Sequence, residues 1–329
     1  MERKREYAFD ILRVISMIMV IVIHVSNVYS RSFGIISNKS FLFSLCYNTV
    51  CRVSVPIFFM ISGALLLDRS FNLKKYINRL LKFILLIIVW DVLYLVWEYY
   101  YLGITYDKLY KLLITPYRAH LWFLYTILLL YAVQPLLRII LNKSNKYIKV
   151  LLLFIWLILS TASMINMTIA KVFTIFSYIG FFVLGKYVYD FSKEKDLKKY
   201  NLLFIVLILI CYTTSIFLNY SSSIRYNRFY NLYFAYRTPF IIFSSISIFL
   251  LALSNYKKDT LNKVIIKFSD LSLGVYLIHG VFLDITVKML RYYSINSLFG
   301  IPIYSLIIFI CSIISVYILR KIKVLNKII

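Results

Sequence analysis

The chain has 329 residues, 62% of them apolar and 18% aromatic, more apolar surface than a soluble protein of this size can bury. Its formal charge of +25 would suit a nucleic-acid binder. Here, however, the Lys and Arg side chains sit in short loops between apolar stretches, which is how membrane topology is written. The composition leaves no segment for a sizeable soluble domain and predicts an all-α, polytopic membrane protein, a single transmembrane domain over 1–329.

Ten membrane-spanning helices are expected, over 10–30, 41–67, 79–101, 119–141, 148–166, 171–189, 200–219, 232–254, 266–289 and 301–323. The basic start and following apolar run look like a signal peptide. Arg13 and His24 interrupt that run and no small-residue cleavage site follows, so it is read as a retained first helix. Only a few polar residues, from Asn166 to Lys171, divide the fifth span from the sixth. With the N-terminus inside, 25 of the 38 basic residues fall in inside segments and 11 in outside ones, while Arg13 and Arg52 lie within spans. This bias predicts that both termini are cytoplasmic. It also places Arg13 near the inner surface, His24 in the outer half, His120 at the outer mouth of the fourth helix and His279 near the middle of the ninth.

In the first helix, Arg13 and His24 stand in an otherwise apolar run. An Arg at this depth costs roughly 2.5–3.5 kcal/mol, so it is kept where it has a partner or a function. The pair lies roughly 16 Å apart along the axis and on nearly the same side. Arg13 could snorkel to the headgroups and His24 could bond a neighbouring helix. Alternatively, the fixed cation suits a phosphate and the imidazole suits a general base. In the second span, Arg52 precedes Pro56 by one turn, and Ser62-Gly63 follows, a pattern expected for a broken helix beside a cavity. In the third, Asp91 and Glu98 either pair with Arg13 or Arg52 or carry protons. The fourth opens with Arg118, His120, Trp122 and Tyr125, either an aromatic belt or a stacking platform for a sugar whose hydroxyls Arg118 and His120 orient. In the ninth, Tyr276 and His279 share a face and Asp284 follows. Cys46, Cys51, Cys211 and Cys311 all fall in apolar segments, spaced as neither a disulfide framework nor a metal site.

Four blocks, in order, carry a resemblance across nearly the whole chain: FDILRVISMIMVIVIH, VPIFFMISGALLL, HLWFLYTILLLYAVQPLL and SLGVYLIHG. They resemble the acyltransferase 3 family of membrane acyltransferases, which includes enzymes that O-acetylate bacterial polysaccharides. The first block has the family's Arg, ten residues, His spacing, with Asp10 three residues before Arg13. One departure is Gly280, where the family commonly has Pro after the late His; it is expected to loosen the ninth helix. The resemblance implies acetyl-CoA as co-substrate, with no permanently bound cofactor and no metal. Its phosphates would be held by Arg13, Arg52 and Arg79, with His24 as general base or acyl acceptor. The acceptor, a cell-surface or lipid-linked glycan, would meet His120, Trp122, Tyr276 and His279. The implied setting is a bacterial cytoplasmic membrane. A transporter or flippase of lipid-linked saccharides is the rival reading, and a proton-coupled carrier using Asp91, Glu98 and Asp284 a weaker one. The acceptor's identity, the acyl group, and whether a second copy or glycan-assembly proteins join the chain stay open.

Overall fold

A computed structural model describes residues 5–68, 71–103, 116–162, 164, 167–256, 262–290 and 296–322. Asn166, the side chain of Lys171, and the basic residues Arg3, Lys4, Arg69, Lys108, Lys111, Lys257, Lys258, Arg291, Lys323 and Lys327 used for the topology lie outside the described side chains.

Among the described residues the chain is helical throughout. The helices are α1 (Tyr7–Arg31), α2 (Asn38–Cys51), α3 (Ser54–Leu66), α4 (Leu73–Trp97), α5 (Trp122–Lys143), α6 (Lys146–Ala162), α7 (Met167–Glu194), α8 (Asn201–Arg225), α9 (Pro239–Asn255), α10 (Lys263–Leu290) and α11 (Ser297–Leu319). Their starts are capped where the loops supply a short polar side chain. Asn72 accepts from the Lys75 amide at 2.9 Å, and Thr238, followed by Pro239 at the first helical position, accepts from the Ile241 amide at 3.4 Å. Eight helical segments are long and apolar enough to cross a membrane, counting α2 and α3 as one. With their outward rows of Leu, Ile, Val and Phe, these make the chain a membrane protein. The 17-residue α6 and the adjoining α7 are not among the eight.

The second span breaks at Arg52 and Val53, before Pro56, so a guanidinium sits where the ladder is interrupted. On α3, Gly63 lies against the Phe182 carbonyl of α7, and Gly185 of α7 lies against the Met60 backbone, so neither position has room for a Cβ. This close approach makes α3 and α7 a central pair. Contacts fix the two ends of the bundle. At one end, Arg5 bonds Asp10 and Asp270 at 2.7 and 2.8 Å, Tyr189 donates to Glu6 at 2.8 Å, and Lys186 meets Asp68 at 2.9 Å. At the other, Ser30 pairs with Ser44 at 2.8 Å and Ser297 donates through its hydroxyl to the Ser40 carbonyl at 2.6 Å. α1 and α10 run in the same direction, packed along their length. The four cysteines are free thiols.

Candidate active site

Arg13 stands about two turns from the Arg5 end of α1. Its Nη1 donates to Asp10 Oδ1 at 3.1 Å. Asp10 is fully buried and also accepts from Arg5 Nε and Nη2 at 2.7 and 2.9 Å and from Ser269 Oγ at 2.7 Å. Those donors hold the Asp10 carboxylate in place, and it sets the guanidinium of Arg13 against the wall of a cavity of about 640 Å³. The cavity extends along α1 past His24 and Asn27 to Arg31, an axial run of about 27 Å at 1.5 Å per residue.

His24 faces this cavity, and the other two histidines of the chain surround it. The His24 ring centroid lies 5.1 Å from that of His279 and 6.2 Å from that of His120, and His120 and His279 are 5.0 Å apart. His120 and His279 are buried, whereas His24 retains access to the cavity. His279 Nδ1 donates to the Tyr276 carbonyl of its own helix at 2.5 Å, which leaves Nε2 as the free nitrogen. Nε2 of both His120 and His279 is buried without a hydrogen-bond partner. Among the described residues no group of three His, Cys, Asp or Glu has metal-holding geometry.

His120 lies in a short turn leading into α5 and is fixed from three directions. Tyr276 donates its hydroxyl to the His120 carbonyl. Arg118, two residues earlier, bridges Glu98 of the helical extension after α4 (2.7 Å) and Asp284 of α10. Burial works against the Arg118 charge, but the two carboxylates outweigh it and raise the guanidinium above its ordinary range. Asp284 also accepts from Trp97 Nε1 at 3.0 Å. Finally, Gly280 faces the imidazole directly: a Cβ there would lie 2.6 Å from His120 Cε1 and 2.8 Å from the Tyr94 hydroxyl. Gly280 sits within the unbroken α10, so its effect is not to loosen the helix but to let His120 reach the other two rings.

The remaining expected residues divide. Trp122 and Tyr276 line the cavity, with Trp122 packed on Tyr178 and Tyr236 at 5.0 and 6.0 Å between ring centroids. Arg79 lines a smaller adjoining cavity of about 300 Å³ that shares Arg13, Phe58, Ser62 and Tyr131 with the first. Arg52 lines the first cavity with Arg13 but at its Asn27 end, away from Arg79. It donates to Asn48 Oδ1 at 2.7 Å and Asn27 Oδ1 at 3.5 Å, with its guanidinium 4.5 Å above the Phe234 ring, on the far side of His24 from Arg13. The break between α2 and α3 carries it there. Asp91, Glu98 and Asp284 pair with neither Arg13 nor Arg52: Asp91 accepts from the Tyr117 amide at 3.2 Å and from the Tyr125 hydroxyl, while Glu98 and Asp284 hold Arg118. Arg118 is therefore a strut in the scaffold rather than a free donor to a sugar. Sequence reasoning missed Asn27, Asn48 and Tyr94. Asn27 had a readable signal, a second polar residue one turn beyond His24, whereas Tyr94 had none among the 30 tyrosines of the chain.

The acyltransferase domain that defines the acyltransferase 3 family matches residues 6–321. The chain belongs to the acyltransferase 3 family. No curated protein and no solved structure matches it. An acyltransferase needs a nucleophile and an activated acyl donor brought to one base in a place that excludes water. In this acyltransferase the buried imidazole group and the cavity reaching it from Arg13 form an arrangement of that kind.

Proposed function

We propose that this protein is a membrane O-acetyltransferase that moves an acetyl group from cytoplasmic acetyl-CoA to a hydroxyl of a cell-surface or lipid-linked glycan. In this reading α6 and α7 form an antiparallel pair that brings the spans to ten, both termini are cytoplasmic, and the membrane is the bacterial cytoplasmic membrane. The Arg5 end of the bundle is then the inner end.

One observation carries the reading: Arg13 and His24 line a single cavity, about 16 Å apart along α1, with two further imidazoles packed around His24. Arg13 and Arg79 supply cations for the phosphates of CoA at the inner end, and the pantetheine arm lies along α1 with its thioester at His24. Arg52, beyond His24, belongs to the acceptor side, with Trp122 as a stacking face and His120, Tyr276 and His279 as the wall around the reacting hydroxyl. His24 takes the proton from that hydroxyl as its oxygen attacks the thioester carbonyl. The new C–O ester bond forms and the C–S bond breaks. The departing thiolate of CoA then takes the proton back from His24. Acetyl-CoA is a co-substrate consumed in each turnover, and no resident cofactor takes part.

The test is transfer of labelled acetyl from acetyl-CoA to a panel of glycans by the purified protein in nanodiscs, beside His24→Ala. Ester-linked label with the native protein and a loss of about 10²-fold or more in the variant, in the range of general-base catalysis, is the expected result. Near-normal transfer by a folded His24→Ala protein would remove the imidazole from the chemistry.

A further inference from the structure

A second cavity, of about 690 Å³, opens off the first at the Arg31 end of the bundle. The two share Arg52, Tyr178 and Tyr236. Its walls hold three arginines, Arg52, Arg228 and Arg237, and among the described residues no Asp or Glu. Among the described residues Arg52 bonds two neutral asparagine side chains, and it rests on the Phe234 ring. Arg228 and Arg237 make no ion pair among the described residues, and Arg237 Nε is buried with no hydrogen-bond partner. Arg52 and Arg237 are half-buried and Arg228 stands at the exposed rim, so three like charges face one cavity and repel one another, a cost offset when an anion binds among them. Their planar forks match a carboxylate or a phosphate.

We infer that this cavity binds an anionic group of the acceptor, so that the preferred acceptor is an acidic saccharide with a carboxylate or phosphate on the sugar that carries the reacting hydroxyl or on its neighbour. The inference rests on the transferase reading above for the word acceptor, though the anion site itself does not need it. With the charge held at Arg228 and Arg237, the sugar crosses the aromatic wall of Tyr178 and Tyr236 and its hydroxyl reaches His24 past Arg52.

The experiment measures binding of trigalacturonate, its carboxyl-reduced trigalactose and a glycerol-phosphate oligomer to the full chain in neutral detergent, then acetyl transfer to the same three probes. At least tenfold tighter binding of one or both charged probes than of trigalactose is expected, lost in Arg228→Gln/Arg237→Gln and regained in Arg228→Lys/Arg237→Lys. Which charged probe binds tighter distinguishes carboxylate from phosphate. Equal binding of charged and neutral probes, or full affinity in the double Gln variant, overturns the inference even if acetyl transfer proceeds. Charge-dependent binding without any transfer leaves the anion site standing and removes the transferase reading. Loss of saccharide binding when phosphatidylglycerol replaces the neutral detergent, with no binding at any lower lipid content, assigns the cavity to a lipid headgroup and also overturns the inference.

Discussion

Replacing Gly280 by Ala adds one methyl group at the point where α10 meets His120. That methyl carbon would stand 2.6 Å from His120 Cε1, 3.1 Å from His120 Nε2 and 2.8 Å from the Tyr94 hydroxyl. Carbon atoms in favourable contact lie about 3.5–4.0 Å apart, so the imidazole must retreat by about 1 Å. It has little freedom to do so, because Tyr276 holds its carbonyl and Arg118 anchors the preceding turn. Tyr94 cannot yield cheaply either, since its hydroxyl donates to the Leu277 carbonyl at 2.7 Å. Overpacking of this kind costs about 1–3 kcal/mol of stability, and a 1 Å misplacement at a reacting centre costs about 10²-fold in rate. The expected outcome for Gly280→Ala is a protein that folds, unfolds at a lower temperature, and transfers acetyl about 10²-fold more slowly. Its KM for acetyl-CoA should be unchanged, because Arg13 lies far along α1 from this contact. The double variant Gly280→Ala/His120→Ala separates the clash from other effects. Removing the ring removes its overlap with the new methyl, so the two substitutions should be non-additive in stability by about 0.5–3 kcal/mol. Native unfolding temperature and rate in Gly280→Ala, or strict additivity in the double variant, would refute the account of Gly280 as the seat of His120.

Arg13→Gln should raise the KM for acetyl-CoA by tenfold or more, with Arg79→Gln adding to it; unchanged donor affinity in both, measured by binding of CoA, would end the phosphate assignment. Asp10→Asn weakens a buried carboxylate that neutralises Arg5 and Arg13, and should destabilise the protein by about 3–5 kcal/mol, read from unfolding in detergent. Arg52→Gln should impair acceptor use while sparing donor affinity, and the opposite pattern would return Arg52 to the donor side. Asp284→Asn leaves Arg118 with Glu98 alone, so it should lower stability and acceptor-side rate together, without making turnover respond to an imposed pH gradient.

The helical architecture was legible because lipid imposes a coarse rule: a span must be long and apolar, and eight of the ten predicted spans have counterparts among the helices long and apolar enough to cross a membrane. The first helix was legible in chemistry too, since an Arg and a His three turns apart on one helix share a side whatever surrounds them. What could not be read was which helices bring their polar residues together. His120 and His279 are separated by 158 intervening positions, and only the packing of the turn before α5 against α10 makes them neighbours. Arg13 and Arg52 line one cavity, but only the break in the second span, not visible in the sequence, turns Arg52 towards Asn27 and the Phe234 ring. Gly280 looked like a weakness of the helix because conformational cost is visible in a sequence and a neighbour's ring is not.

The distribution of charge bears on the rival reading as a carrier. A proton-coupled carrier needs a carboxylate that faces its passage, takes up a proton from one side and gives it up to the other. Asp10 is saturated by two arginines and a serine, Asp91 by a backbone amide and a tyrosine, and Glu98 and Asp284 by Arg118 and Trp97. All four are spent on holding helices together, and none lines any of the three cavities. What does line them is cationic at both ends and imidazole in between. Cations at both ends suit an anionic ligand at each mouth. Under the proposed transfer reaction, donor and acceptor enter from the two ends and meet at the imidazoles, and none of these four carboxylates faces the passage to carry a proton.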